Sequence, residues 1–580
     1  MRSGKKFTLG LLPTFLAIVA MLLAGCGGPQ AAQKPQAAPA TQQTLRVALG
    51  GISDIATFDP ALSTDVDSAS AIDMVFTGLV QENDKLEVTA QMAQSWSVSS
   101  DGLTYTFHLR PNLKFSDGTP LTAQDVAYSI DRALSKPIND QTGVSSTYLG
   151  LIKDSAQRLD GSKSTLIGDS INPDVANNTI SLTVDHVTGY FLEALTYPTA
   201  YVVEKSLIDK WGTNWIDHLS TGGGDGPFQV SSYNHSTGIT FVPNPNYYGK
   251  SQTLKKVEFL FYKDTETAYK AYQANQVDQV GVPTNENATA MKNTAEYHKI
   301  GQLAIFYVAM NYLYKPFDNI DIRQAFELAV NKDVIAKNIE KGLATPTCHI
   351  VPQGQPGYDA DLHCPQNAPT KGDPTEAKKL FQEGMQQEGY TLSSFPSITI
   401  TYPSGDQPTA DQITTMIQAW QSILGITVKT QAVDFTTLLG DVTSSACQTP
   451  DSPQKCLNKG LQMWWLGWIA DYPDPQDWLT LQFAKGVSNN DWNYGQNFSS
   501  DAQQQVATQQ LLEKADRDLG KDRLSLYNQA EQQLANDVAW MPLFQADAAV
   551  LIKKYVYGVV LNAQGITPPD DWANIYIAVH

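Results

Sequence analysis

The chain has 580 residues, of which 42% are hydrophobic and 17% charged. That is enough apolar material for large cores and too much for a disordered chain. Lys and Arg number 40 against 59 Asp and Glu, a net charge of −19; such a surface argues against nucleic-acid binding, which depends on neutralising phosphates.

The N-terminus reads as an address. Arg2, Lys5 and Lys6 precede an uncharged apolar stretch from Phe7 to Leu23, the pattern of a secretory signal over residues 1–25. It ends Leu23-Ala24-Gly25-Cys26, which resembles the bacterial lipobox. The resemblance implies cleavage before Cys26 and lipidation of its thiol; the alternatives are an ordinary signal peptide or an uncut anchor. Residues 26–43 carry little but Gly, Pro, Gln, Ala and Thr with Lys34 and read as a flexible tether. No later segment has the run of about 18 apolar residues that a membrane span needs.

Leu45–Leu49 reads as a first strand. Thr104–Leu109 alternates, with Tyr105, Phe107 and Leu109 on one face, which predicts a half-buried strand. Thr122 opens a capped helix through Val126 and Ile130. Ile322, Ala325, Phe326, Ala329 and Val330 recur at helical spacing. Asp373-Pro374-Thr375-Glu376 is a helix start with cap and Pro in register. A βαβ-like unit follows: strand Ile398–Tyr402, helix Thr409–Leu424, Gly425 and strand Ile426–Val433. A helical stretch with breaks covers 502–536. Interspersed strands and helices make the fold class α/β.

Of five cysteines, four remain beside Cys26: Cys348, Cys364, Cys447 and Cys456. An exported chain favours disulfides. Three connectivities exist, and the local one, Cys348–Cys364 and Cys447–Cys456, closes short loops. Cys348-His349 with His363-Cys364 offers a zinc alternative, at poor spacing. Enzyme and cofactor motifs fail: Gly249-Lys250-Ser251 lacks the earlier Gly of a phosphate loop, Pro227 stands where a dinucleotide fingerprint needs Gly, and neither Gly-x-Ser-x-Gly nor His-Glu-x-x-His occurs. Asp471, Asp474 and Asp477 have the wrong spacing for a calcium loop. No cofactor and no metal is predicted.

Ala93-Gln94-Ser95-Trp96, Ser100-Asp101-Gly102-Leu103-Thr104-Tyr105-Thr106-Phe107-His108-Leu109-Arg110 and Phe115-Ser116-Asp117-Gly118-Thr119-Pro120-Leu121-Thr122 closely resemble the extracellular solute-binding proteins of family 5. These are the oligopeptide- and dipeptide-binding components of ABC importers. The likeness continues at Phe58-Asp59-Pro60, Gly224-Asp225-Gly226-Pro227-Phe228, Asn244-Pro245-Asn246-Tyr247-Tyr248 and Gly467-Trp468-Ile469-Ala470-Asp471-Tyr472-Pro473-Asp474-Pro475.

The resemblance implies a two-lobed, periplasmic-binding-protein-like (type II) fold with an extra domain inserted in lobe I. Lobe I takes 44–76, 190–305 and 545–580, the inserted domain 77–189, and lobe II 306–544. It implies a non-enzymatic monomer, lipid-anchored outside the cytoplasm, that clamps a peptide in an interlobe cleft and hands it to permease subunits. Gly467, Trp468, Ile469 and Ala470 are read as the strand that pairs with the peptide backbone, and Asp471 as the partner of its α-ammonium. Asn493, Tyr494 and Phe58 complete the expected site, with Asp59 beside Phe58. The plainer reading of residues 471–475 is a loop of Asx turns, and of Phe58 and Asp59 a turn before Pro60. Of Trp464, Trp465, Trp468, Trp478 and Trp492, most read as core and one or two as pocket wall. Alternatives in function are a nickel complex, oligosaccharide or opine as cargo, an exported hydrolase, and a chaperone or signalling receptor.

Overall fold

The computed structural model describes residues 35–282, 291–447, 452–487 and 489–580. The signal segment, Cys26 and the tether up to Lys34 lie outside the described residues. Local rules set many of the elements. Thr122 caps the helix Ala123–Ala133 and shares a capping box with Asp125. Asp373 caps Pro374–Gln387. The strands Ile398–Pro403 and Val428–Val433 pair in parallel around the helix Gln407–Leu424, which ends at Gly425 with φ 77°, a left-handed position that Gly takes without strain. The 502–536 stretch divides into Ala502–Arg517 and Arg523–Asp537.

An 11-stranded sheet runs through the body. Its middle is formed by Tyr297–Met310 and Met541–Ile552. On one side Tyr297–Gly301 pairs with Asp547–Leu551, and the sheet goes on through Gln279–Gly281 and Thr44–Gly50 to Phe228–Asn234. On the other side Ala304–Met310 pairs with Met463–Ile469, and then come Ile398–Pro403 and Val428–Val433. The register slips between Gly301 and Ile305, an irregularity of the kind that lets a strand bend. The long pair of strands thus joins two halves.

Each half has its own core. Phe58, Phe76, Trp215, Phe241 and Phe259 fill the first. In the second the sheet is covered on both faces. Trp465 goes to one layer with Phe326 and Trp420, and its neighbour Trp464 to the other with Trp492 and Trp540, as the period of two along a strand requires. Beside the first half stands a separate antiparallel sheet of four strands, Ala93–Val98, Thr104–Leu109, Thr179–Thr183 and Ile171–Asp174. Tyr105, Phe107 and Leu109 are buried in its core, the face their alternation predicted.

Cys348–Cys364 and Cys447–Cys456 stand at disulfide distance, each with Cα atoms 5.5 Å apart. This is the local connectivity, and it takes up both thiols of the zinc alternative. Closing loops of this length contributes roughly 2–3 kcal/mol per bridge. The tether ends earlier than composition suggests. Ala37 bridges Ala578, the Ala38 N–H donates to the Ile577 carbonyl at 2.8 Å, and the buried Gln43 amide donates to both the Ala38 and Ile577 carbonyls at 2.8 Å. Small side chains read as linker also fit a tight seat. Among the described residues no helix is long and apolar enough to cross a membrane.

Candidate functional site: a cleft beside an open strand edge

A cavity of about 290 Å³ lies between the two halves. One wall is the strand Met463–Ile469. Along one edge it pairs with Ala304–Met310 over its full length. Along the other, pairing with the strand Ile398–Pro403 is confined to Met463 and Trp464. Trp465 to Ile469 line the cavity, so this stretch of backbone meets the cavity with one row of its peptide groups outside the sheet. Such an edge is a template for another extended chain. At Gly467, a Cβ would come 2.6 Å from the Phe306 ring. Phe306 sits opposite Gly467 in the ladder and stacks on Trp465, so the glycine is needed by an aromatic neighbour inside the protein.

Ala470 and Asp471 continue the wall. The Asp471 carbonyl accepts from Gln564 at 2.8 Å. Its carboxyl accepts from the Tyr148 hydroxyl, and its N–H donates to the carboxyl of Asp477 at 3.1 Å. Burial pushes Asp471 up to about 7. Asp477, fully buried behind it, is pushed well above the usual carboxylate range by burial and by the Asp471 charge; burial and mutual repulsion disfavour ionising both acids at once. Asp474 has a third role: it caps the helix Pro475–Trp478 and receives Arg523 in a two-pronged pair at 2.8 and 2.7 Å.

The facing wall comes from the first half. The helix Val66–Val75 is capped by Asp65 and turns Val66, Ala69 and Asp73 to the cavity, the i, i+3, i+7 positions of one face. Asp73 accepts from the Tyr201 hydroxyl at 2.9 Å. Asp67, in the first turn, and Glu82, at the end of the strand Val80–Glu82, border the same space. Burial pushes Asp67 and Asp73 up to about 7 and Glu82 well above the usual carboxylate range. The buried Glu82 Oε1 has no hydrogen-bond partner.

Of the expected site residues, Gly467, Trp468, Ile469, Ala470 and Asp471 come together on the cavity. Asn493, Tyr494 and Phe58 do not line it, which corrects the sequence reading. Asn493 is buried and holds Cys447 N–H at 2.7 Å and the Asn311 and Ser445 oxygens at 3.0 Å. Tyr494 is fully buried and donates to Asp537 at 2.6 Å. Phe58 packs edge-on against Tyr233 and Phe241 in the first-half core, and Asp59 caps Pro60–Leu62 and pairs with Arg132. Each is consumed by internal contacts. Among the tryptophans, Trp465 and Trp468 reach the cavity and Trp464, Trp478 and Trp492 are core. Sequence reasoning missed Asp73, Glu82, Tyr148 and Gln564. Only the cap at Asp65, followed by acids at 67 and 73, left a local signal, an acidic helix face.

The pattern of the bacterial extracellular solute-binding proteins, family 5, matches residues 87–490, more than half of the chain. The dipeptide-binding protein DppE of Bacillus subtilis is 27% identical over 517 residues, covering 88% of each chain. The Escherichia coli murein tripeptide binding protein MppA superposes with a TM-score of 0.78 at 23% identity, over 93% of this chain and 99% of its own. Against the unliganded open form of MppA the TM-score is 0.61 at 22% identity, over 94% of this chain and 99% of that one. The fold is that of a two-lobed type II periplasmic binding protein, and the chain belongs to the family 5 bacterial extracellular solute-binding proteins.

Proposed function

We propose that this protein captures peptides outside the cytoplasm and delivers them to the permease subunits of an ABC importer. One observation carries the reading: backbone from Trp465 to Ile469 meets the cavity with one edge outside the sheet, and an acid, Asp471, follows at its end. A peptide laid along that edge exchanges main-chain hydrogen bonds whatever its side chains, while Asp471 receives the α-ammonium. The printed names of DppE and MppA, a dipeptide-binding and a murein tripeptide binding protein, support the same class of cargo.

In this reading lobe I comprises residues 44–76, 190–305 and 545–580, the inserted domain 77–189 and lobe II 306–544. The halves touch around the cleft. Ser53 donates to Asp434 at 2.9 Å, Thr265 N–H to the Gly405 carbonyl at 3.3 Å, and Tyr148 to Asp471. The higher TM-score against MppA than against its open form fits a closed arrangement. Ligand selects that arrangement through contacts the open form lacks. A lipid on Cys26 holds the protein at the outer face of the membrane, where it acts as a monomer without turning its cargo over.

The test is calorimetry of the purified mature protein with short peptides, free and N-acetylated, together with mass spectrometry of whatever co-purifies. Heat with free peptides, lost on acetylation, is the expected outcome. Equal binding of acetylated peptides removes the ammonium role of Asp471. A retained sugar, opine or nickel complex in place of peptide replaces the cargo.

A further inference from the structure

A second, smaller cavity of about 60 Å³ adjoins the first and shares Thr64, Tyr197, Leu439, Leu466 and Trp468 with it. Its remaining wall sets the rings of Tyr307 and Trp492 among threonine, valine and amide side chains, and it contains one carboxylate, Asp491. The Asp491 Oδ1 is buried and has no hydrogen-bond partner, and among the described residues no cation pairs with its carboxyl. Tyr148 borders this side pocket and donates to Asp471, so one tyrosine links the side pocket to the acid of the main cavity.

The main cavity has the same bias. Asp65, Asp67, Asp73, Glu82 and Asp471 line it, and its described lining contains no Lys, Arg or His. Glu82 is nine-tenths buried with its Oε1 unpartnered, and so is the Asp65 Oδ2. Elsewhere several buried acids have a cation, Asp59 with Arg132, Glu327 with Lys332, Asp474 with Arg523 and Asp501 with Arg323, while Asp225 and Glu340 rest on the neutral donors Thr77 and Gln412. Unpaired buried carboxylates are costly, and several acids without a cation border this one cavity.

We propose that the cargo is a basic peptide whose Lys or Arg side chain enters the side pocket, between aromatic rings, to meet Asp491. The inference rests on the peptide reading above and adds its side-chain preference. A cation over Trp and Tyr faces is attracted by their quadrupoles, the carboxylate supplies the counter-charge, and the acids of the main cavity disfavour acidic peptides. Burial holds Asp491 well above the usual carboxylate range while the pocket is empty, and a bound ammonium or guanidinium reverses that shift.

The experiment uses tripeptides of Ala with Lys, Met or Glu at each position in turn, titrated into the mature protein by calorimetry. Lys at one position should bind at least about tenfold tighter than Met there, and Glu weakest. Asp491→Asn should erase the Lys-over-Met preference and leave tri-Ala binding intact. Its folding is checked by thermal melting, and the wild-type panel decides the matter should the variant not fold. If Lys and Met peptides bind alike, or Asp491→Asn keeps the preference, the basic specificity is wrong while the peptide reading stands. If no tripeptide binds, both fall.

Discussion

Arg323 in the interior of the second half and the acids on the face of the cleft are held in opposite ways. Arg323 is wholly buried and completely used: it donates to the Asp537 and Phe317 carbonyls at 2.9 Å each and to Asp501 at 2.7 Å, and its guanidinium stands 3.9 Å from the centre of the Tyr312 ring. Asp73 and Asp471 on the cleft each accept from one tyrosine hydroxyl and meet no cation. Asp471 and Asp474, three residues apart, show the divide within one loop, one facing the cavity and one locked to Arg523. Arg323 and Asp474 find ion pairs inside the fold, whereas Asp73 and Asp471 face the cavity with a hydroxyl partner and no cation.

The comparison breaks first if the interior side is wrong. Arg323→Met leaves Asp501 without its cation and the Phe317 carbonyl without its side-chain donor, while the Asp537 carbonyl keeps the Tyr312 hydroxyl; it should cost about 3–5 kcal/mol, read as a lower urea midpoint. Asp73→Asn, by contrast, should hold or raise the midpoint, because it removes a charge the empty protein does not compensate. A fall like that of Arg323→Met would make Asp73 structural.

Asp471→Asn sharpens the cleft side. Loss of a charge-assisted bond of about 1.5–3 kcal/mol should weaken peptide binding roughly 10- to 100-fold with folding intact. The pH dependence of the empty protein follows from the same groups. Asp73, beside Tyr201, and Asp471, beside Tyr148, Asp477 and Glu82, are raised by burial from 3.8 to about 7. The folded state therefore holds more protons than the unfolded one between those values, and stability falls as pH rises from about 4 through 7. Melting curves at pH 5 and pH 8 test the sign, and a cationic ligand should recover the loss at pH 8.

The two regions also differ in how far they were legible in sequence. The strand Met463–Ile469 and Asp471 are contiguous, so a motif presents them together. Helix caps such as Thr122 and Asp373 are local and were legible from spacing alone. Asp73, Glu82 and Tyr148 reach the cleft through other elements; Asp73 has only the acidic helix face after the Asp65 cap as a local mark, and nothing in the neighbourhoods of Glu82 and Tyr148 marks that destination. Asn493, Tyr494 and Phe58 failed for the converse reason: a polar or aromatic residue looks the same in sequence whether it faces a ligand or is already bonded to Asn311, Asp537 or Tyr233. Ala37 to Gln43 looked like linker because docking here rests on backbone and one glutamine amide.

Gly467→Ala joins the two regions at the cleft wall. The added methyl meets the Phe306 ring at 2.6 Å, and Phe306 is held between Trp465 and Phe544, so it has little room to yield. Overpacking of this kind costs about 1–3 kcal/mol. Because Phe306 also lines the cavity, affinity should fall with stability, whereas Asp471→Asn lowers affinity alone.

The smallest expected effect lies at the rim. Ser53 and Asp434 come from opposite halves and share one hydrogen bond at 2.9 Å; Asp434 also caps the helix Phe435–Thr443, so the informative change is Ser53→Ala, which spares the cap. If that bond exists only when the lobes are closed, its loss costs the closed state about 0.5–1.5 kcal/mol and the fold nothing. Peptide affinity should then drop a few-fold, the empty protein should scatter as a more extended particle, and the urea midpoint should not move. A shifted midpoint with unchanged scattering would mean that the rim contact serves the fold, and that closure is governed by the groups facing the cargo.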